Sequence, residues 1–182
     1  MTRQKTVFSL LLLLCMAFAL LPAKASGISL TQAYRLFEIT DGLKAPTDVA
    51  VSQDGRIYIV DGVHHAVKVF SGNGQFLYAF GKKGTEEGAF ASPLGIAIDS
   101  TGKIFVADSG NHRIQVFDRN GSFSAALKIP PGNLHLADPT DVALDESKHR
   151  CYVVDNDNHP AILAVFETLR LVAAVVIPLS WL

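Results

Sequence analysis

Cysteine is nearly absent. The chain has two, and one of them, Cys15, lies inside an apolar run near the start. If that run is removed on export, Cys151 stands alone, and no internal disulfide can form even in an oxidising compartment. Stability must then come from packing. An excess of basic charge is missing as well. There are 16 Lys and Arg against 17 Asp and Glu, and taking away Arg3, Lys5 and Lys24 leaves 13 against 17, a net charge of −4 with His neutral. Such a balance provides no basic footprint for a phosphate backbone, so no nucleic-acid partner is expected. No apolar run reaches the roughly 20 residues of a membrane-spanning helix. The chain also lacks a G-x-S-x-G elbow, an H-E-x-x-H pair and a phosphate-cradling Gly loop. Neither enzymatic activity, nor a cofactor, nor a metal site is expected.

What is present begins with Thr2, Arg3, Gln4 and Lys5, then apolar residues from Val7 to Leu21, then Ala23-Lys24-Ala25. A basic start, a short apolar stretch and small residues two apart describe a helical secretory signal peptide over residues 1–25. Export to the periplasm or the extracellular space follows. Contact with a membrane is expected only if the segment stays uncleaved. The residue before Cys15 is the bulky Leu14, which argues against a lipid-bearing cysteine.

The remainder repeats itself. Pro46 to Phe70 reads PTDVAVSQDGRIYIVDGVHHAVKVF, and Pro93 to Phe117 reads PLGIAIDSTGKIFVADSGNHRIQVF, in register at an offset of 47 without a gap. A third copy, PTDVALDESKHRCYVVDNDNH, starts at Pro139 and carries one extra residue in its first turn. Each unit predicts a strand after the Pro, then a turn, with Gly at 55 and 102 in the first two units. A second, nearly continuous apolar strand follows, then a tight polar loop and an alternating third strand. QFLYAF at 75–80 and SFSAAL at 122–127 supply a fourth. Four short antiparallel strands about every 45 residues, with turn signals between them, are the blade of a β-propeller.

The recurring loop residues are Asp61, His65, Asp108, Asn111, His112, Arg113, Asp155, Asn158 and His159. A tight reversal leaves several backbone N–H groups without partners, and an Asp at the end of a buried strand can accept from them. The His four residues on is expected to bridge loop and blade. Recurrence itself assigns these residues to the scaffold, since each unit faces the same packing problem.

The second unit, from Pro93 to Phe117, closely resembles the NHL repeat. The first unit departs from that pattern at Gly62-Val63-His64, where Ser-Gly-Asn is usual, and at Ala66, where Arg is usual. The resemblance covers about residues 33–159 and implies an all-β fold, a partial propeller of about three four-stranded antiparallel blades. It divides the chain into an outer strand and blade entry at 33–46, blades at 46–92 and 93–138, and a partial blade at 139–166. An apolar, degenerate tail occupies 167–182. Relatives of this kind commonly close with six blades, so the chain reads as a shortened product. Three readings of the tail stay open: a fourth strand, LVAAVVI; a hydrophobic anchor; and a stretch read out of frame.

Residues that do not recur are the functional candidates: His64, Lys82, Lys83, Glu86, Glu87, His135 and His149. Asp48 and Asp141 begin the first strands of units one and three, where unit two has Gly95, and with His135 they form the candidate binding set at the channel mouth. The alternative for both carboxylates is local bonding to backbone. The resemblance implies a non-catalytic module that binds a protein or small ligand. A fragment of a metal-dependent propeller lyase or lactonase is the alternative. Self-association through uncovered blade faces is expected of a short repeat array.

Overall fold

The computed structural model describes residues 36–40, 42–127, 138–156, 162–167 and 170–176, with the side chains of the last two stretches outside the description. The signal segment 1–25 and the candidates His135, Asn158 and His159 fall outside it. The described residues are all β apart from two single-turn 3-10 helices. They build three four-stranded antiparallel sheets, each a simple meander.

The first sheet comprises β1 (Pro46–Val51), β2 (Ile57–Asp61), β3 (Ala66–Phe70) and β4 (Phe76–Phe80). The second comprises β5 (Pro93–Ile98), β6 (Ile104–Asp108), β7 (Arg113–Phe117) and β8 (Phe123–Leu127). The third comprises β9 (Pro139–Asp145), β10 (Arg150–Asp155), β11 (Ile162–Glu167) and β12 (Arg170–Val176). Each first strand begins at the repeated Pro, two residues ahead of the sequence expectation. Proline suits that position because the first residue of a strand can forgo its N–H in the ladder.

Two of the expectations need correction. Leu36–Ile39, the described part of the outer strand expected within 33–46, form no strand, although Phe37 and Ile39 pack against Gly74 of blade 1; a strand there needs a sheet edge to pair with. The second correction concerns the third unit, which the sequence predicts as a partial blade ending at 166. In the structure β12 pairs with β11 from Glu167↔Arg170 to Ile162↔Val176, so the blade has four strands. That corresponds to the fourth-strand reading of the tail.

Sheets stack face to face through two apolar cores. Tyr58, Val60, Val67 and Val69 of blade 1 meet Ile96, Ile104, Val106 and Phe117 of blade 2, with Phe90 from the connecting loop. The rings of Phe80 and Phe90 sit 4.9 and 5.4 Å from that of Phe117. Phe105, Ala107, Ile114, Val116 and Leu127 on the opposite face of blade 2 meet Val142, Cys151 and Val153 of blade 3. Blade 2 is thus covered on both faces, and β6 and β7 are buried at every residue. In β10 only one side is covered, and Val154 is exposed. Adjacent first strands lie side by side, β1 by β5 and β5 by β9.

Candidate functional site

Asp108 ends β6 with no solvent exposure and is the hub of the recurring loop. One carboxylate oxygen accepts from the Ala91 N–H at 2.7 Å. The other accepts from Asn111 Nδ2 at 2.8 Å, Arg113 Nε at 2.8 Å and Gln115 Nε2 at 2.9 Å. These donors reach onward to the loop that enters the blade. Arg113 gives hydrogen bonds to the carbonyls of Glu86 and Ala89, Gln115 to Ala89, and Asn111 to Gly84. A buried carboxylate is tolerable because a cation and three neutral donors meet it.

Blade 1 solves the same problem with different residues. Lys68, at the position of Gln115, donates to Asp61 at 2.7 Å, and His64, at the position of Asn111, contributes its Nδ1 at 2.8 Å and its backbone N–H at 3.3 Å. Burial pushes the Asp61 carboxyl upward, but the hydrogen bonds from Lys68 and His64 outweigh it and hold the group below its ordinary value. His64, a non-recurring candidate in the sequence, therefore belongs to the scaffold. In blade 3 Asp155 is equally buried and accepts from the Asp138 N–H at 3.1 Å.

His65 and His112 hold left-handed backbone, φ 51° and 53°. His is among the few side chains that enter this region readily. His65 also bridges as expected, its Nδ1 accepting from the Ser92 N–H at 3.2 Å. His149 adopts the same conformation, φ 53°, closing the 3-10 turn Glu146–Lys148 that takes up the third unit's extra residue. Of the other loop candidates, Lys82 and Glu86 pair at 3.0 Å on the surface.

The channel-mouth carboxylates split. Asp48 accepts from its own strand at Val49 N–H, 2.7 Å, and across the blade boundary from Ile96 N–H, 2.8 Å. It latches two first strands together. Asp141 accepts from Val142 N–H at 2.7 Å and is exposed. The local-backbone alternative thus describes both, and Asp48 carries an added role between blades.

One cleft stands out, and of the sequence candidates only His149 lies on it. It has a volume of about 440 Å³ and opens between blades 2 and 3, at the ends of the strands opposite Asp108. Phe105, Val116, Ala125, Leu127, Leu144 and Cys151 give it apolar walls, and Lys103, Asp145, Glu146, His149 and Arg150 rim it. Asp145 is drawn down to about 2 by hydrogen bonds from Ser147 and Lys148, so it is anionic under ordinary conditions. Burial pushes the Cys151 thiol up to about 12. The Glu146 carboxylate ties the two turns together, accepting from Ser100 N–H at 2.9 Å.

The origin of the cleft is a change of side-chain size within the repeat. At the blade 1–blade 2 boundary, Tyr78 and Phe80 on β4 pack into the core. At the same positions on β8 stand Ala125 and Leu127. Two large aromatic rings are replaced by small aliphatic groups, and space opens between otherwise equivalent sheets. The signal lies in FLYAF against FSAAL, a change of side-chain size on a strand rather than a motif in a loop.

Two stretches, residues 43–70 and 90–117, match the NHL repeat family. Among solved structures the chain is similar to hydrazine synthase of Kuenenia stuttgartiensis, with TM-score 0.61 and 12% identity, covering 80% of this chain and 40% of that one. It is also similar to a chain of a nidogen/laminin complex, with TM-score 0.56 and 21% identity, covering 72% of this chain and 49% of the other. The chain therefore spans less than half the length of either solved chain. No curated protein sequence matches it.

Proposed function

This chain carries NHL repeats on a β-propeller fold, and from that premise we propose that it is a binding module working outside the cytoplasm. The supporting observation is the cleft between blades 2 and 3. Its volume of about 440 Å³ falls in the range of roughly 300–1,000 Å³ that small-molecule sites occupy. An apolar wall with a charged rim suits an amphipathic ligand or a protein side chain with an apolar body and a polar tip. The recurring Asp hubs take no part, being committed to the backbone of their own loops.

The test uses 1-anilinonaphthalene-8-sulfonate, an aromatic anion that matches the apolar walls and the cations at 103 and 150. Ala125→Tyr with Leu127→Phe restores the side chains of blade 1 and fills the cleft. The filled variant should bind the probe at least about tenfold more weakly, whereas Val51→Asp, on the far face of blade 1, should leave this affinity unchanged. Equal binding by the filled variant and the parent would reject the cleft as the site. Export is tested separately by N-terminal sequencing of secreted product, which should begin at Ser26.

A further inference from the structure

A basic residue stands at the entry to the second strand of every unit: Arg56, Lys103 and Arg150. In blade 1 that cation is answered locally. Asp54 pairs with Arg56 at 3.3 Å and, with the phenols of Tyr58 and Tyr78 beside it, holds the guanidinium above its ordinary value. Moved along by the repeat offset of 47, those three partners become Thr101, Phe105 and Ala125. The carboxylate and both phenols are lost together. Among the described residues, no side chain pairs with the Lys103 ammonium in their place.

All three replacements line the cleft between blades 2 and 3, and so does Lys103 itself. The changes that open the space thus also strip a cation of its partners. The carboxylates at the rim do not take over, because groups of the surrounding turns hold them. Asp99 accepts from the Thr101 N–H at 2.9 Å, the Thr101 hydroxyl at 2.7 Å and the Lys103 N–H at 2.8 Å. Asp145 accepts from the Ser147 hydroxyl at 2.6 Å and pairs with the Lys148 ammonium at 3.1 Å. Glu146 accepts from both the N–H and the hydroxyl of Ser100.

Resting on the reading of this cleft as a binding site, we propose that its occupant is a small amphipathic monocarboxylate and that Lys103 selects its charge. The apolar body lies against Phe105, Val116, Ala125 and Leu127, and the carboxylate meets the Lys103 ammonium. A single ammonium suits a single negative charge. A phosphate dianion would add repulsion from the rim carboxylates, and a cationic head would meet Lys103 with like charge.

The test displaces a neutral probe, 1-anilinonaphthalene, which is the fluorophore used above without its sulfonate. Three decyl compounds differing in the head group compete for it on the full chain. Decanoate should displace the probe at about tenfold lower concentration than decanol, the worth of a hydrogen bond to a charged group. Decylammonium should be the weakest of the three. Lys103 is exposed, so substitutions there should leave the fold intact. Lys103→Gln should bring decanoate level with decanol without changing the latter, and Lys103→Glu should place decylammonium first. Equal displacement by all three heads overturns the proposal while the cleft stands as a binding site. A preference for decanoate that persists in Lys103→Gln does the same. A probe that the parent chain does not bind, or that Ala125→Tyr with Leu127→Phe binds as tightly, overturns the cleft reading itself and the proposal with it.

Discussion

Asp108 and Asp61 stand at the same place in successive repeats, both wholly buried, and differ in who answers their charge. Arg113, itself buried, answers the first, and Lys68 with a half-exposed His64 answers the second. Removing a carboxylate costs most where its cation cannot turn to water. Asp108→Ala should therefore lower the unfolding free energy by about 3–5 kcal/mol, the usual cost of stranding a buried charge. Asp61→Ala should cost clearly less, since Lys68 and His64 can reach solvent. Urea denaturation of both variants gives the ranking, and equal losses would mean that Arg113 finds another partner. The sequence made the scaffold role of these aspartates legible because it repeats them. It could not reveal that His64 and Lys68 stand in for Asn111 and Gln115. A non-recurring residue reads as functional until its donor atom is seen on the recurring acceptor.

Strands and blades were the most legible level. Pro46, Pro93 and Pro139 mark the starts of the first strands, and the apolar runs of β2 and β6 announce burial on both sides. The exception is instructive. RCYVV in β10 is as apolar as its counterparts, but Val154 is exposed because burial on the second face depends on a neighbour rather than on the strand itself. Close approach between blades was also hidden in the sequence. Gly95 has the appearance of a lost carboxylate beside Asp48 and Asp141, whereas its real constraint is space. The atoms nearest a Cβ there are Asp141 Cα and Oδ1, both at 2.7 Å, and Thr140 O at 2.8 Å; the carboxylate could turn away, but the two backbone atoms cannot. Gly95→Ala should destabilise by about 1–3 kcal/mol, as overpacking does. Gly55 offers a control: nothing lies within 4 Å of its would-be Cβ, and its constraint is a φ of 81°. Gly55→Asn should therefore be tolerated, because Asn enters that region readily. Denaturation midpoints distinguish the two, and an unchanged midpoint for Gly95→Ala would mean that blades 2 and 3 are free to separate.

Across the stack as a whole, stability should follow position rather than sequence. A repeat array owes its stability to the contacts between neighbours, and here the middle blade has two while each end blade has one. Strands β6 and β7 are buried throughout, whereas β1 shows solvent half of its residues and more. Amide hydrogen exchange should accordingly be slowest over Ile104–Asp108 and Arg113–Phe117, and fastest in β1 and β4, because local opening costs least where least apolar surface is covered. Uniform protection of all three blades at low concentration would mean that the stack unfolds as a single unit. The difference in packing between middle and end blades would then be too small to matter.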